Sequence, residues 1–276
     1  MRRQIFSVVS AIVVAASTAW AQTPPAAAEK PFEPIVGQAG KDVVWVPTPA
    51  EVVEKMLDMA RVTSQDFVMD LGSGDGRNII AAAKRGANAL GVEFNPDMVE
   101  LSRKHAAEAG VGERAKFVQG DMYEADISRA TVLALFLLPH NLTKLTPKFL
   151  ALPPGTRIVG NTFSPEGWAA DESEQVGGDC ANWCTSLLWI VPARVEGTWK
   201  TPEGELTLKQ DFQMVSGTLT LTSGSKPTAV SGRLRGNVLT LNGDGTELSG
   251  RVNGDRIEGS VKSGGSGSSW SASRVK

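Results

Sequence analysis

From Thr48 onward the apolar positions alternate between two periods. "TPAEVVEKMLDMARV" puts Val52, Val53, Met56, Leu57 and Ala60 on one helical face, behind a Thr48 cap and with Pro49 at the first helical position. "DFVMDL" is an apolar run of strand length, "GRNIIAAAKRG" a helix closed by Gly86, and "NALGVEF" a second strand. "NPDMVELSRKHAAEAG" reads as a helix with Asn95 as cap, Pro96 at its first position and Gly110 past its end. "AKFVQGD" and "ATVLALFLL" are further strands, the latter apolar throughout, as a strand buried on both faces should be. "NLTKLTPKFLAL" is a helix and "GTRIVGN" a fifth strand; "SLLWIVPARV" follows late and is expected to pair with "ESEQVGG" as an antiparallel hairpin. This order predicts an α/β fold over residues 43–195: a doubly wound, mostly parallel, seven-stranded sheet of the Rossmann-like kind.

The pattern changes after Glu196. No helical period remains, and short alternating runs are cut by Gly, Asn and Asp, with Asn-Gly and Asp-Gly hairpin signals in "RGNVLTLNGDGTELSGRVNGDRIEGSV". Residues 196–276 are therefore expected to form a small all-β antiparallel meander or barrel of six or seven strands. It is expected to fold separately and to take no share in the chemistry. Trp199 and Trp270, near its two ends, are expected to share one layer of its core.

Ahead of the first helix lies "MRRQIFSVVSAIVVAASTAWAQ", with Arg2 and Arg3, an apolar run and then Ala19-Trp20-Ala21. That order is a secretory signal peptide over residues 1–21, which implies export, in a bacterium to the periplasm, and a mature chain without a transmembrane segment. Residues 22–42, rich in Pro and Ala, read as a flexible leader. A formal net charge of −2 and a pI near 5.8 leave no basic footprint for nucleic acid. The two cysteines, Cys180 and Cys184, fall in "DCANWCT". An oxidising compartment favours a structural disulfide there over free thiols, and a metal site least, since no histidine lies near.

"DLGSGDGR" carries the chemistry. Asp70, Gly72, Ser73, Gly74 and Gly76 lie between the first strand and its helix, where an open parallel sheet binds ligands. Glycines there let a ligand approach bare backbone. An acid ahead of the glycines would crowd a pyrophosphate, which disfavours a dinucleotide. Glu93 ends the second strand, where a ribose diol wants a carboxylate acceptor, and Asp121 follows the third, placed to accept from an adenine amine. Together these acids point to a nucleoside with a zwitterionic tail.

"DLGSGDGR", "GVEFNP" and "FVQGDM" resemble the successive cofactor motifs of class I (seven-strand) S-adenosylmethionine-dependent methyltransferases. The chain is most similar to the small protein-lysine methyltransferases of the ATP synthase c-subunit type and to exported bacterial relatives. The resemblance spans roughly residues 43–195. It implies that Asp70 and the glycine loop meet the methionine portion, Glu93 the ribose and Asp121 the adenine, with Met122 flanking the ring.

On the acceptor side, "LLPHN" offers His140 as a proton acceptor, and Asn141 either to orient an amine or merely to cap a helix. "NTFSPEGW" resembles the aromatic-and-Pro loop of lysine-methylating relatives, and its Phe163 and Trp168 either wall an alkylammonium channel by cation–π contact or pack in the core, with Trp45 closing the site from the N-terminal side. The expected activity is methyl transfer to a protein lysine or a small amine. The alternative is an exported nucleoside- or partner-binding module that uses the same fold without turnover.

Overall fold

The computed structural model describes Met1 and residues 32–178, 180–263 and 266–275; the expected signal peptide and the leader up to residue 31 lie outside them. The first half of the described chain is α1 (Ala50–Met59), β1 (Phe67–Leu71), α2 (Arg77–Lys84), β2 (Asn88–Glu93), α3 (Pro96–Glu108), β3 (Ala115–Gln119), β4 (Val132–Leu135), α4 (Pro139–Phe149), β5 (Arg157–Asn161), β6 (Glu172–Gln175) and β7 (Thr185–Ile190). The strands form one seven-stranded sheet in the order β3-β2-β1-β4-β5-β7-β6. β7 is antiparallel to both neighbours; the other pairs are parallel.

Alternation along each strand divides the core between the two faces of the sheet. Val68, Val132 and Ala134 pack under α1, α2 and α3, while Met69, Leu133 and Leu135 pack with Leu142, Leu145 and Phe149 of α4. Asn95 caps α3 as expected, its side chain accepting from the Asp97 amide. Thr48 does not cap α1. The Thr48 side chain makes no cap bond, Pro49 precedes the helix, and the Thr48 carbonyl accepts from Arg77 Nη1 at 2.6 Å.

Beyond Glu196 the strands are β8 (Gly197–Thr201), β9 (Gly204–Asp211), β10 (Met214–Leu221), β11 (Thr228–Arg235), β12 (Val238–Gly243), β13 (Thr246–Asn253), β14 (Arg256–Ser263) and β15 (Ser266–Arg274). They close into an eight-stranded antiparallel barrel, β15 pairing with β8. The count exceeds the expected six or seven because the Gly- and Ser-rich β15 carries almost no apolar signal, yet pairs along β14. Leu206, Leu208, Leu234, Leu239, Leu241 and Ile257 fill the interior around Trp199, with Trp270 half-buried against the same core.

The barrel packs against the sheet through specific contacts. Phe212 occupies the tight β9–β10 turn at φ +49° and stacks on Trp168 with centroids 5.4 Å apart. Gln213 Nε2 donates to the Ala169 carbonyl at 2.8 Å, and Arg233 and Arg235 pair with Asp171 and Glu172 at the start of β6. Among the described residues no helix is long and apolar enough to cross a membrane.

Residues 22–31 of the expected leader lie outside the described residues. From Ile35 to Trp45 the chain forms a strap folded on itself. Ala39 and Val44 bridge, and the Gly37 amide donates to the Trp45 carbonyl at 2.8 Å. Satisfying its own backbone groups in this way lets the segment lie ordered across the sheet edge.

Candidate functional site

Strand order reverses between β2 and β4 around β1, and a cleft opens at the carboxyl ends there. Its floor and walls include Gly72, Glu93, Asp121, Met122 and Phe136, and the strap residues Lys41 and Trp45 roof it. The glycine loop turns through left-handed backbone, with φ +78° at Gly72, +55° at Gly74 and +85° at Gly76. Only glycine enters that region without a Cβ penalty.

Two carboxylates hold the loop and the adjacent strand end. Glu93 Oε2 accepts from the Gly74 amide and Oε1 from the Asn95 amide, both at 2.9 Å. Asp121 Oδ1 accepts from the Tyr123 amide at 2.8 Å, and its Oδ2 meets Lys41 Nζ at 2.6 Å. The Lys41 side chain and then the Tyr123 amide hold the Asp121 carboxyl below the usual carboxylate range. Each oxygen keeps a lone pair, so Glu93 and Asp121 still have acceptor capacity for a diol and an amine. Two acceptors on neighbouring strand ends, buried Met122 and the backbone at Gly72 in one cleft fit an adenine nucleoside with a methionine tail.

Not every residue of the expected cofactor set faces that cleft. Gly74 lies under the Trp45 indole, and a Cβ there would sit 2.7 Å from Trp45 Nε1. Gly76 is packed instead against Phe117, 2.7 Å from an added Cβ, so it serves the junction of loop and helix. Ser73 packs toward Gly91 of β2. Asp70 is buried beneath the loop and accepts from Asn78 Nδ2 at 2.9 Å. Burial pushes its carboxyl up to about 8, against the Asn78 hydrogen bond and with the help of the Glu93 charge.

The expected acceptor residues divide more sharply. His140 is exposed on the first turn of α4 and does not line the cofactor cleft. Asn141 neither caps α4 nor meets the cleft. Its side chain is fully buried, and Nδ2 donates to the Tyr123 hydroxyl at 2.7 Å. Trp168 is 2% exposed, stacked on Phe212, and belongs to the junction with the barrel. Trp45 lies over the glycine loop and lines the same cleft as Phe136.

Phe163 does stand at the site edge. It stacks on Phe136 with centroids 6.0 Å apart and planes at 11°, and Phe136 lines the cleft. Trp183 completes a trio, 6.1 Å from Phe136. Neither Phe136 nor Trp183 stands out in the sequence, where an aromatic after a strand looks like any core residue. Cys180 and Cys184 form a disulfide within the β6–β7 connection. Among the described residues no cluster of His, Cys, Asp and Glu is arranged to hold a metal ion.

Comparison with known proteins agrees with this geometry. The profile of the ANTKMT methyltransferase domain matches residues 70–172. A protein-lysine N-methyltransferase of Saccharolobus islandicus (strain REY15A) is 44% identical over 133 residues, 47% of this chain and 83% of that relative. The adenine nucleotide translocase lysine N-methyltransferase of Mus musculus is 36% identical over 128 residues, 46% of this chain; the match spans only 56% of the mouse protein. Among solved structures, one described as an RNA methyltransferase from Salinibacter ruber in complex with S-adenosyl-L-homocysteine is 45% identical. It superposes with a TM-score of 0.51 over 54% of this chain and 96% of that one.

Proposed function

We propose that this chain, which belongs to the family of class I S-adenosylmethionine-dependent protein-lysine N-methyltransferases, methylates the ε-amine of lysine in a protein acceptor. The observation that carries the reading is 44% identity across 83% of a protein-lysine N-methyltransferase, over the segment that builds the cleft. When bound, S-adenosylmethionine supplies a methyl group already activated as a sulfonium. The chain's own residues therefore need not act as nucleophiles. Glu93 and Asp121 accept from the nucleoside, the glycine loop receives the methionine tail, and Met122 flanks the ring. The strap and the aromatic edge exclude water and position the acceptor amine, which binds as an ammonium and must lose a proton before it takes the methyl group, and that positioning is where the barrier is lowered.

Export is part of the proposal. The Arg-apolar-Ala-x-Ala order supports a periplasmic enzyme, and in that case the cofactor must travel with the folded chain or reach the envelope separately. Labelled-methyl transfer into envelope and cytosolic extracts, followed by mass spectrometry, tests substrate and place together. Label on lysine ε-nitrogens, resistant to ribonuclease, is the expected result. Label lost with ribonuclease would replace lysine by RNA, the substrate class named for the Salinibacter relative. Cofactor binding without any labelled product would leave a binding module on an enzyme's fold.

A further inference from the structure

β4, β5 and β7 are neighbours in the sheet, and each carries one aromatic residue at the edge where the cofactor cleft opens. Phe136 follows β4, Phe163 follows β5 and Trp183 precedes β7. Because β7 runs antiparallel, its start lies beside the end of β5, with Asn161 opposite Ser186. Phe136 stacks on Phe163 on one side and meets Trp183 at 59° on the other. The result is a continuous aromatic wall that begins inside the cofactor cleft and runs outward to the β6–β7 connection.

Two backbone features hold this wall in unusual conformations. Thr162 sits at φ +61° in a γ-turn, the Phe163 amide donating to the Asn161 carbonyl at 2.6 Å. Such turns are rare and strained. Trp183 is also left-handed, at φ +53°, inside the loop closed by Cys180–Cys184. The two turns are tied together, since the Thr162 amide donates to the Thr185 carbonyl at 2.7 Å and the Val176 amide to the Cys184 carbonyl at 2.7 Å. Strain kept in two linked turns is a mark of functional sites.

Phe163 is also braced against the α4-side core, which accounts for its position by packing. Trp183 is different: it is 41% exposed, yet a disulfide and a left-handed backbone fix it beside Phe136. We propose that Phe136, Phe163 and Trp183 form the subsite for the acceptor's alkylammonium chain, and that the Cys180–Cys184 loop exists to hold Trp183 in it. Aromatic faces attract cations and accept a four-carbon stem along the same surface. A short covalently closed loop presents the indole with less ordering cost on binding. The inference rests on the reading that the acceptor is a lysine amine, and it names the residues that select one.

A binding measurement separates it from that reading. The mature protein, loaded with S-adenosylhomocysteine, is titrated with n-butylammonium and with uncharged n-butanol, each followed by saturation-transfer NMR. The cation is expected to bind more tightly than the alcohol. Trp183→Ala should weaken the cation by about two- to fivefold, as expected for one exposed cation–π contact. Trp183→Phe should retain most of the affinity, and Cys180→Ser/Cys184→Ser should weaken it as Trp183→Ala does. Unchanged S-adenosylhomocysteine affinity in each variant shows that the fold is kept. Equal cation affinity in Trp183→Ala, or no preference for the cation in the wild type, overturns the subsite. An intact double-serine variant overturns the role of the disulfide. If the cation binds through Trp183 but no lysine is ever labelled, the lysine reading falls and the subsite stands.

Discussion

Asp70 is buried beneath the glycine loop that the sequence assigns to the cofactor. A carboxyl buried under a glycine loop, with Glu93 and Asp75 adding charge of the same sign, is held neutral well above its ordinary value of 3.8. With a folded-state value of about 8, the folded chain binds a proton that the unfolded chain has already lost over the interval between. Stability from this group is therefore complete below about pH 4 and is lost as pH rises toward about 8. The melting temperature of the cofactor-free protein should fall as pH rises from about 5 to about 8, other groups apart. Asp70→Asn removes the titration, keeps a side chain that can bond to Asn78, and should flatten that slope in calorimetric melts. An equal slope in the variant would mean that Asp70 is ionised in the folded chain. The position of Asp70 at the end of its strand was legible from the apolar run before it, as were those of Glu93 and Asp121 at theirs. Its burial was not legible, because that depends on Asn78 reaching back from α2 and on how the loop closes overhead. The sequence leaves Trp168 open between channel wall and core for a related reason: its partner, Phe212, arrives from the distant β9–β10 turn.

At the scale of elements, the strap from Ile35 to Trp45 roofs the cofactor cleft. Its outer end is tethered by Lys41 on Asp121, its inner end by Trp45 over Gly74, and its base by Arg77 on the Thr48 carbonyl. The Lys41–Asp121 pair is exposed and therefore a weak tether. It also engages one oxygen of the carboxylate expected to receive the adenine amine, so Lys41 stands at the entrance that the cofactor must pass even though that oxygen keeps a free lone pair. Lys41→Ala should accordingly raise the association rate of S-adenosylhomocysteine severalfold in stopped-flow measurements, with little change in melting temperature. An unchanged association rate would show that the strap opens without regard to this pair. Nothing periodic marks the strap, because an element held by one bridge and a few side chains has no repeat to detect. The parallel strands were legible because β1, β4 and β5 are buried on both faces and leave a continuous apolar run. The hairpin of β6 and β7 was legible only in part. Strand β7 is apolar, whereas β6 is a charged edge, Glu172 and Glu174, of the kind that resists pairing with another chain.

For the whole molecule, the barrel's position sets what its removal should do. No described residue of β8–β15 lines the cofactor cleft or the aromatic wall. Yet Arg233 and Arg235 of β11 clamp Asp171 and Glu172, which lead into and open β6, and β6 is one arm of the hairpin that carries Trp183. Phe212 covers Trp168, whose indole would otherwise face water. A chain ending at Glu196 should therefore melt at a lower temperature while holding S-adenosylhomocysteine as the full chain does. The same chain should bind n-butylammonium more weakly, since its β6–β7 hairpin keeps the disulfide but loses both arginine clamps. Phe212→Ala gives a gentler version of the experiment, removing the stacking partner at a cost of up to about 2 kcal/mol. Arg233→Ala/Arg235→Ala isolates the clamps without exposing Trp168. If the clamps matter, that double variant loses affinity for the cation but not for S-adenosylhomocysteine, whereas Phe212→Ala loses stability with both affinities retained. A truncated chain that remains folded and loses S-adenosylhomocysteine would instead make the barrel a part of the cofactor site, reached through the sheet rather than by direct contact.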